Sequence, residues 1–301
     1  RQGEKEKAIY ALNQSTELSP GVVSLRWAAG MLASKLGDKE ALLDNLKAVI
    51  AYDPDRRQKA FIVLWQSLRS GDSIFEIIPD QAIPEYLRFL LDTKRIKDAY
   101  KVWVNNQDLI DYNHYMHLMN SLIAQNEIDL AVKAWDDRMG KRKELIWNSR
   151  FEESINNNGF DWTINENPGI KITRVKNEND GGHIVKIEFD GKENYDFYHF
   201  RQSVPVEENT KYRFSSDLKT ENITTLNGLF WEAYCIHKEG MYERSEETFG
   251  TTDWHRVEFS FEVPPGCDSV AIRLRRTPSK ITDKLFSGTA WIDNTSLVKE
   301  D

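Results

Sequence analysis

The sequence is poor in cysteine and has no cluster of basic residues. Cys235 and Cys267 are its only cysteines, too few for a disulfide framework or a zinc site. One bridge between them is compatible with their number, although no spacing pattern favours it. No segment reaches the ~20 apolar residues that span a bilayer, so we expect no membrane contact within this segment. The net charge of −8 argues against nucleic acid as a partner, because phosphate binding needs a clustered basic excess.

The sequence also has none of the short motifs that mark common enzymes. Gly-x-Ser-x-Gly, His-Glu-x-x-His and a phosphate-binding loop are all missing. Glu232 and Asp217 are conceivable as a glycosidase pair across a cleft, but 48 acidic residues produce such pairs by chance. We therefore expect a binding protein and not an enzyme. The first residue is Arg1 and not Met, so we interpret the chain as a piece of a longer protein.

The character of the sequence changes midway. Up to about residue 145 it is rich in Leu, Ala, Lys and Glu at helical spacing, and from residue 146 onward it alternates apolar and polar residues between turn signals. About nine short strands without intervening helices indicate an antiparallel sandwich or barrel. We predict an α + β chain of two separate domains, an α-helical solenoid over 1–145 and an antiparallel β-sandwich over 146–301.

The first half contains an internal repeat. Landmarks 34 residues apart are the glycines and prolines Gly3, Gly37, Gly71, Pro20 and Pro54. Further on the period shortens to 32, where the segment from Ala99 to Trp103 recurs from Ala131 to Trp135. Glycine can end a helix in a left-handed conformation, small alanines let helices approach, and proline stops the second helix. The stretch 73–95 departs from the pattern, which predicts a kinked or shortened helix there.

This period and these landmarks resemble the tetratricopeptide repeat over about residues 1–140. The resemblance implies a helical array with a concave groove that docks a protein partner. The tryptophans at helical core spacing are expected to pack inside the array.

The second half carries a series of short motifs in a characteristic order. They are an Asn-x-x-Phe-Glu strand at 148–152, Trp162, a Gln-x-Val strand from Gln202, a Tyr-x-Phe strand from Tyr212, and a closing Ile-Asp-Asn strand at 292–294. Their order resembles the carbohydrate-binding modules of the galactose-binding-like jelly-roll type. The pairing with helical repeats is similar to bacterial proteins linked with exopolysaccharide or the cell envelope. The resemblance implies carbohydrate binding and an envelope or periplasmic location.

Sugar recognition needs aromatic rings for the apolar sugar faces and planar polar groups for the hydroxyls. The candidate residues of that type are Trp231, Trp162, Arg213, Asp217, Glu232, Tyr234, His199 and Arg201. Strand alternation predicts that Arg213, Asp217, His199 and Arg201 point outward. The strand around Trp231 is ambiguous: we expect Trp231 outward, and the opposite phase would turn Glu232 and Tyr234 outward together.

Two further expectations follow from the jelly-roll resemblance. Such modules often hold a structural calcium ion, and the matching oxygen donors here are Glu152 and Asp293, although the usual Asp-x-Asp-x-Asp loop is absent. The alternative to a sugar-binding module is a structural or scaffolding protein whose sandwich only caps the repeats. That alternative requires Trp162, Trp231 and Tyr234 all to be buried between the sheets.

Overall fold

A computed structural model of the chain describes residues 2–19, 21–68, 71–141, 143–178, 181–280 and 284–300. Its internal contacts divide the chain into two compact units, residues 1–125 and 126–301.

The first unit is helical. Its helices are α1 (Gln2–Leu18), α2 (Val23–Leu36), α3 (Lys39–Tyr52), α4 (Arg57–Leu68), α5 (Gly71–Phe75), α6 (Ile83–Asp92), α7 (Ile96–Asn105) and α8 (Tyr112–Ala124). The helix α5 has five residues, so the stretch that departs from the repeat does contain a shortened helix. Among the described helices, none is long and apolar enough to cross a membrane.

A left-handed glycine separates α2 from α3, whereas the glycine landmark Gly71 is the first residue of α5. Gly37 follows α2 with φ 75°, as the repeat pattern predicted, and Asp38 then caps α3 by accepting a hydrogen bond from the Ala41 amide at 3.1 Å. Pro54 opens a 3-10 turn directly after α3, whereas Pro20 lies outside the described residues.

The 32-residue period also appears in the backbone. Lys94 and Asn126 are both left-handed, with φ 57° and 60°, and they precede helices that start at 96 and 128. Ala99 and Ala131 are both fully buried in those helices. Lys94 and Asn126 thus have the left-handed conformation that Gly37 has, and this is why the sequence shows no glycine at these two positions. Asparagine adopts this conformation more readily than most residues.

The described residues of the second unit form one helix and ten strands. They are α9 (Ile128–Met139), β1 (Thr163–Ile164), β2 (Ile170–Lys176), β3 (His183–Asp190), β4 (Phe197–Pro205), β5 (Lys211–Ile223), β6 (Phe230–Cys235), β7 (Tyr242–Arg244), β8 (Gly250–Glu262), β9 (Ser269–Arg276) and β10 (Ser287–Lys299).

The strands form two five-stranded sheets, in the orders β1-β4-β9-β6-β7 and β2-β3-β10-β5-β8. Every pairing of these strands is antiparallel. Leaving aside β1 and β2, the chain crosses between the sheets in the order of an eight-stranded jelly roll. We call the sheet that contains β6 the front sheet and the other the back sheet.

The helix α9 belongs to the second unit, although the sequence boundary was expected at 145/146. Its Trp135 packs edge-on against Trp147 at 5.1 Å between ring centroids and against Phe160 at 5.7 Å. Gly159 leaves room for the same ring, because a Cβ there would lie 2.2 Å from it. The change in composition near residue 145 marks where the strands begin. The contacts of Trp135 instead make α9 part of the same compact unit as those strands.

The core between the two sheets contains both tryptophans that were predicted as sugar contacts. Trp162 stacks on Phe200 with 4.5 Å between centroids, and Trp231 lies 5.0 Å from Phe214 of the back sheet. Both tryptophans have no exposed surface, so the expected outward phase of Trp231 was wrong. The strand β6 has bulky residues on both faces, and the apolar pattern alone therefore does not reveal its inward side.

The two cysteines form a disulfide bridge that the sequence did not favour. Cys235 ends β6, and Cys267 lies just before β9, with 6.0 Å between their Cα atoms. The two strands are neighbours in the front sheet, so pairing of β6 with β9 brings the sulfur atoms together. A sequence separation of 32 gives no hint of that proximity.

We predict that Trp231→Ala destabilises the protein strongly. Truncating a fully buried aromatic side chain costs about 3–5 kcal/mol in the free energy of unfolding, and this ring contacts both sheets. Chemical denaturation measures the loss. The matched control is Phe249→Ala in the same unit, whose side chain is 53% exposed and whose loss should cost under about 0.5 kcal/mol. Equal stability of the two variants would contradict the packing described here.

Asp161 is a buried carboxyl group at the start of β1. It is 1% exposed and accepts hydrogen bonds from the backbone amides of Asn156 and Trp162, each at 2.7 Å. Burial raises the pKa of Asp161 to about 6, because the two amides offset only part of the lost hydration. The folded protein therefore binds this proton more tightly than the unfolded chain does.

The raised pKa of Asp161 predicts that the free energy of unfolding falls as the pH rises. Because the folded pKa exceeds the unfolded one, Asp161 makes unfolding easier as the pH rises from about 4 to about 6. Asp161→Asn cannot ionise and should remove this contribution, on the order of 1–3 kcal/mol. The measurement is the difference in unfolding free energy between the two proteins at several pH values. The contributions of the other carboxyl groups cancel in this difference because both proteins contain them. A difference independent of pH would contradict the raised pKa.

Candidate functional site

The outer face of the front sheet concentrates aromatic and charged side chains. We call this surface the tyrosine–arginine face, and its members are Tyr198, Tyr234, Tyr242, Arg201, Arg244, Arg273, Arg275 and Glu232. The inward positions of the same strands fill the core, so alternation turns these residues outward. Strand register pairs Arg201 with Arg273, Arg273 with Glu232, and Glu232 with Arg244.

Glu232 lies at the centre of this face and is 1% exposed. Its carboxylate accepts a hydrogen bond from the Arg273 Nε, and the Arg275 Nε lies 3.9 Å away. Tyr242 hydrogen bonds to the same carboxylate, and its pKa is raised to about 12, first by partial burial and then by this bond and the negative charge. A carboxylate removed from water needs such partners, so Glu232 holds Arg273 and Tyr242 in fixed positions.

Guanidinium groups lie over the tyrosine rings. The Arg273 guanidinium carbon is 4.6 Å from the centroid of Tyr234, and that of Arg275 is 5.8 Å from Tyr198. Tyr198 and Tyr242 remain 42% and 52% exposed. The face therefore presents aromatic surface next to planar hydrogen-bond donors that are already held in place.

His199 was expected to point outward, but it is covered. It is 7% exposed, and its ring stacks on Tyr198 with 4.6 Å between centroids. The pairing of β4 with β9 is irregular between Phe197 and Phe200, which displaces the residues between them. Burial lowers the pKa of His199. The residue thus supports the Tyr198 ring from below and is not an open ligand contact.

Arg201 lies on the face as predicted from alternation. It is exposed and faces Thr163 of β1 on one side and Arg273 of β9 on the other. Among the residues that the structure describes, Arg201 has no carboxylate partner.

Arg213 and Asp217 also point outward, but from the back sheet and not from the front sheet that carries the tyrosine–arginine face. They lie on β5 of the back sheet, on the opposite side of the sandwich from Glu232. Asp217 is bound to Arg256 at 3.0 Å and accepts a hydrogen bond from the side-chain amide of Asn294 at 2.8 Å. The conceivable glycosidase pair of Glu232 and Asp217 is therefore wrong, because the core separates the two carboxylates.

The eight predicted site residues thus divide into three groups. His199, Arg201, Glu232 and Tyr234 share the front sheet, Arg213 and Asp217 lie on the back sheet, and Trp162 and Trp231 are in the core. Sequence reasoning missed Tyr198, Tyr242, Arg244, Arg273 and Arg275. One signal was visible, since the Arg-Leu-Arg sequence at 273–275 alternates like a strand with one charged face.

Glu152 and Asp293, the residues expected to hold calcium, each have a hydrogen-bond partner within the chain. The Glu152 carboxylate binds the His183 imidazole at 3.1 Å, and the Asp293 carboxylate accepts from the Asn294 amide at 2.7 Å. The carbonyl oxygens of Phe151 and Glu152 accept hydrogen bonds from Arg174. In the described ranges no three His, Cys, Asp or Glu side chains are grouped to hold a metal ion.

No protein-family model matches the sequence, and no curated protein matches it significantly. A solved structure named as CBM4 is similar to it, with 17% identity, 52% of this chain and 99% of the other covered, and a TM-score of 0.39. TmCBM61 in complex with beta-1,4-galactotriose has 16% identity, coverages of 53% and 100%, and a TM-score of 0.36. A Stig cyclase from Fischerella sp. TAU has 15% identity, coverages of 52% and 96%, and a TM-score of 0.33. At these values the similarity carries no argument about function, and the jelly roll rests on the strand order itself.

Proposed function

We propose that the second unit is a non-catalytic carbohydrate-binding module and that its ligand lies on the tyrosine–arginine face. The observation that carries this proposal is the pair of exposed rings, Tyr198 and Tyr242, beside guanidinium groups held on the same outer sheet face. Aromatic rings pack on the C–H faces of a pyranose, and planar polar groups bind its hydroxyls in pairs.

The preorganisation of the face supports binding. Glu232 fixes Arg273 from below, and Arg273 lies against the Tyr234 ring. Side chains that are already ordered lose less conformational entropy when a ligand arrives, so more of the contact energy appears as affinity.

The same geometry favours binding over catalysis. A glycosidase needs two carboxylates facing each other across the scissile bond. Glu232 is buried against Arg273, and Asp217 lies on the other sheet. The scaffolding alternative required Tyr234 to be buried between the sheets along with Trp162 and Trp231. Tyr234 instead lies on the outer face with partial exposure, and this favours a ligand surface.

We propose that the protein works in an oxidising compartment such as the periplasm or cell envelope, with an exopolysaccharide as its ligand. The support is the Cys235–Cys267 bridge, because disulfides persist mainly outside the reducing cytosol.

We further propose that the helices of residues 1–125 form a tetratricopeptide-like array that docks a protein partner. The left-handed residues Gly37 and Lys94 and the buried Ala99 support the repeat. An open groove lined by Ile62, Trp65, Gln66, Phe89, Thr93 and Arg95 supports the docking. In this groove the Arg95 guanidinium carbon lies 3.7 Å from the Trp65 ring centroid, so the groove offers apolar surface and one cation to a peptide.

The carbohydrate proposal predicts that Tyr198→Ala and Tyr242→Ala each weaken glycan binding at least about tenfold, or 1.4 kcal/mol, in variants that circular dichroism shows to be folded. Affinity electrophoresis of the whole chain against xylan, β-1,4-galactan, β-glucan and polygalacturonate identifies a bound polymer, and titration calorimetry measures its affinity.

The matched control is Trp291→Ala, a partly exposed aromatic on β10 of the back sheet. That variant should bind as the unchanged protein does. Loss of binding in Trp291→Ala alone would move the site to the back sheet, and no binding to any polysaccharide by the unchanged protein would reject the function.

The repeat proposal predicts that Ala99→Leu overpacks a helix contact and lowers the free energy of unfolding by about 1–3 kcal/mol. The control is Ala28→Leu, at an exposed alanine of α2, which should change it by less than about 0.5 kcal/mol. Thermal or chemical unfolding measures both. A neutral Ala99→Leu would show that the assumed repeat phase is wrong.

A further inference from the structure

The charged row of the tyrosine–arginine face contains an unusual contact between like charges. Arg201 of β4 and Arg273 of β9 are direct neighbours in the strand register. Like charges placed opposite each other across two strands destabilise a sheet. Glu232 compensates the positive charge of Arg273, to which it is bound. Glu232 lies on β6, however, and β9 separates it from Arg201 on β4.

The other arginines of the face each have a carboxylate partner. Arg275 is bound to Asp196, and Arg244 is 3.2 Å from Glu247. Within the described parts of the chain, Arg201 is thus the member of this face whose positive charge is left uncompensated. It is exposed, so its donors are accessible to a ligand.

The position of Arg201 suits an anionic group. A guanidinium offers a planar pair of donors that matches a carboxylate in a bidentate geometry. A hydroxyl group binds the same donors but leaves the charge uncompensated. A carboxylate beside Arg201 would also offset the repulsion from Arg273, which a neutral sugar cannot do. Thr163 on the other side of Arg201 adds a hydroxyl for the same ligand.

We propose that the ligand of this face is an acidic polysaccharide and that Arg201 binds the carboxylate of one of its uronate residues. The inference rests on the carbohydrate function proposed above and narrows it to one class of sugar. Tyr234 and Tyr242, which are paired across β6 and β7, then provide ring surface for sugar residues next to the charged one.

The test compares polymers that differ only in charge. The whole chain is titrated with polygalacturonate, alginate and hyaluronan, each alongside the same polymer with its carboxyl groups reduced to alcohols. We expect at least a tenfold preference for one acidic polymer over its reduced form. Arg201→Ala should abolish that preference, and Arg201→Lys should restore only part of it, because lysine keeps the charge but lacks the planar fork.

The matched control is Arg213→Ala, which removes an exposed arginine from the back sheet and should leave the preference unchanged. Equal binding of the acidic and reduced polymers, or an Arg201→Ala variant that keeps the preference, would overturn this inference while leaving the carbohydrate function intact. Failure to bind any polysaccharide, acidic or neutral, would reject both. Circular dichroism and the melting temperature establish that each variant is folded.

Discussion

The placement of Trp231 in the core is the constraint on which the surface of the second unit depends. Side chains of a strand alternate strictly, so an inward Trp231 sends Glu232 and Tyr234 outward together. The stack of Trp162 on Phe200 likewise turns Thr163 of β1 and Arg201 of β4 outward. The tyrosine–arginine face is thus a consequence of how four large rings fill the space between two sheets.

The buried Glu232 carboxylate orders the charged side chains of that surface. Leaving water costs this group free energy that its bonds to arginine offset, and the same bonds hold Arg273 over Tyr234. A flexible arginine would have to be ordered by the ligand, whereas this one is ordered by the fold. Among the described residues Arg201 has no carboxylate partner, and on this unbalanced charge we base the proposed preference for an acidic ligand.

The same left-handed backbone recurs between helices although its glycine does not. Gly37, Lys94 and Asn126 have different side chains but the same left-handed backbone. A lysine or asparagine pays a modest cost in that conformation, which packing of the following helix offsets. The period is therefore easier to follow through the buried Ala99 and Ala131 than through glycine.

The sequence by itself determined the two kinds of structure, the helix end at Gly37 and the outward direction of Arg201, because these depend on short-range periodicity and backbone preference. It also contained the order of strand motifs that indicated a jelly roll. Only the tertiary structure decided that Asp217 and Glu232 lie on opposite sides, that Trp231 points inward, and that Cys235 meets Cys267. Alternation tells which residues of one strand share a face, but the crossing of the chain between two sheets decides which faces of different strands come together.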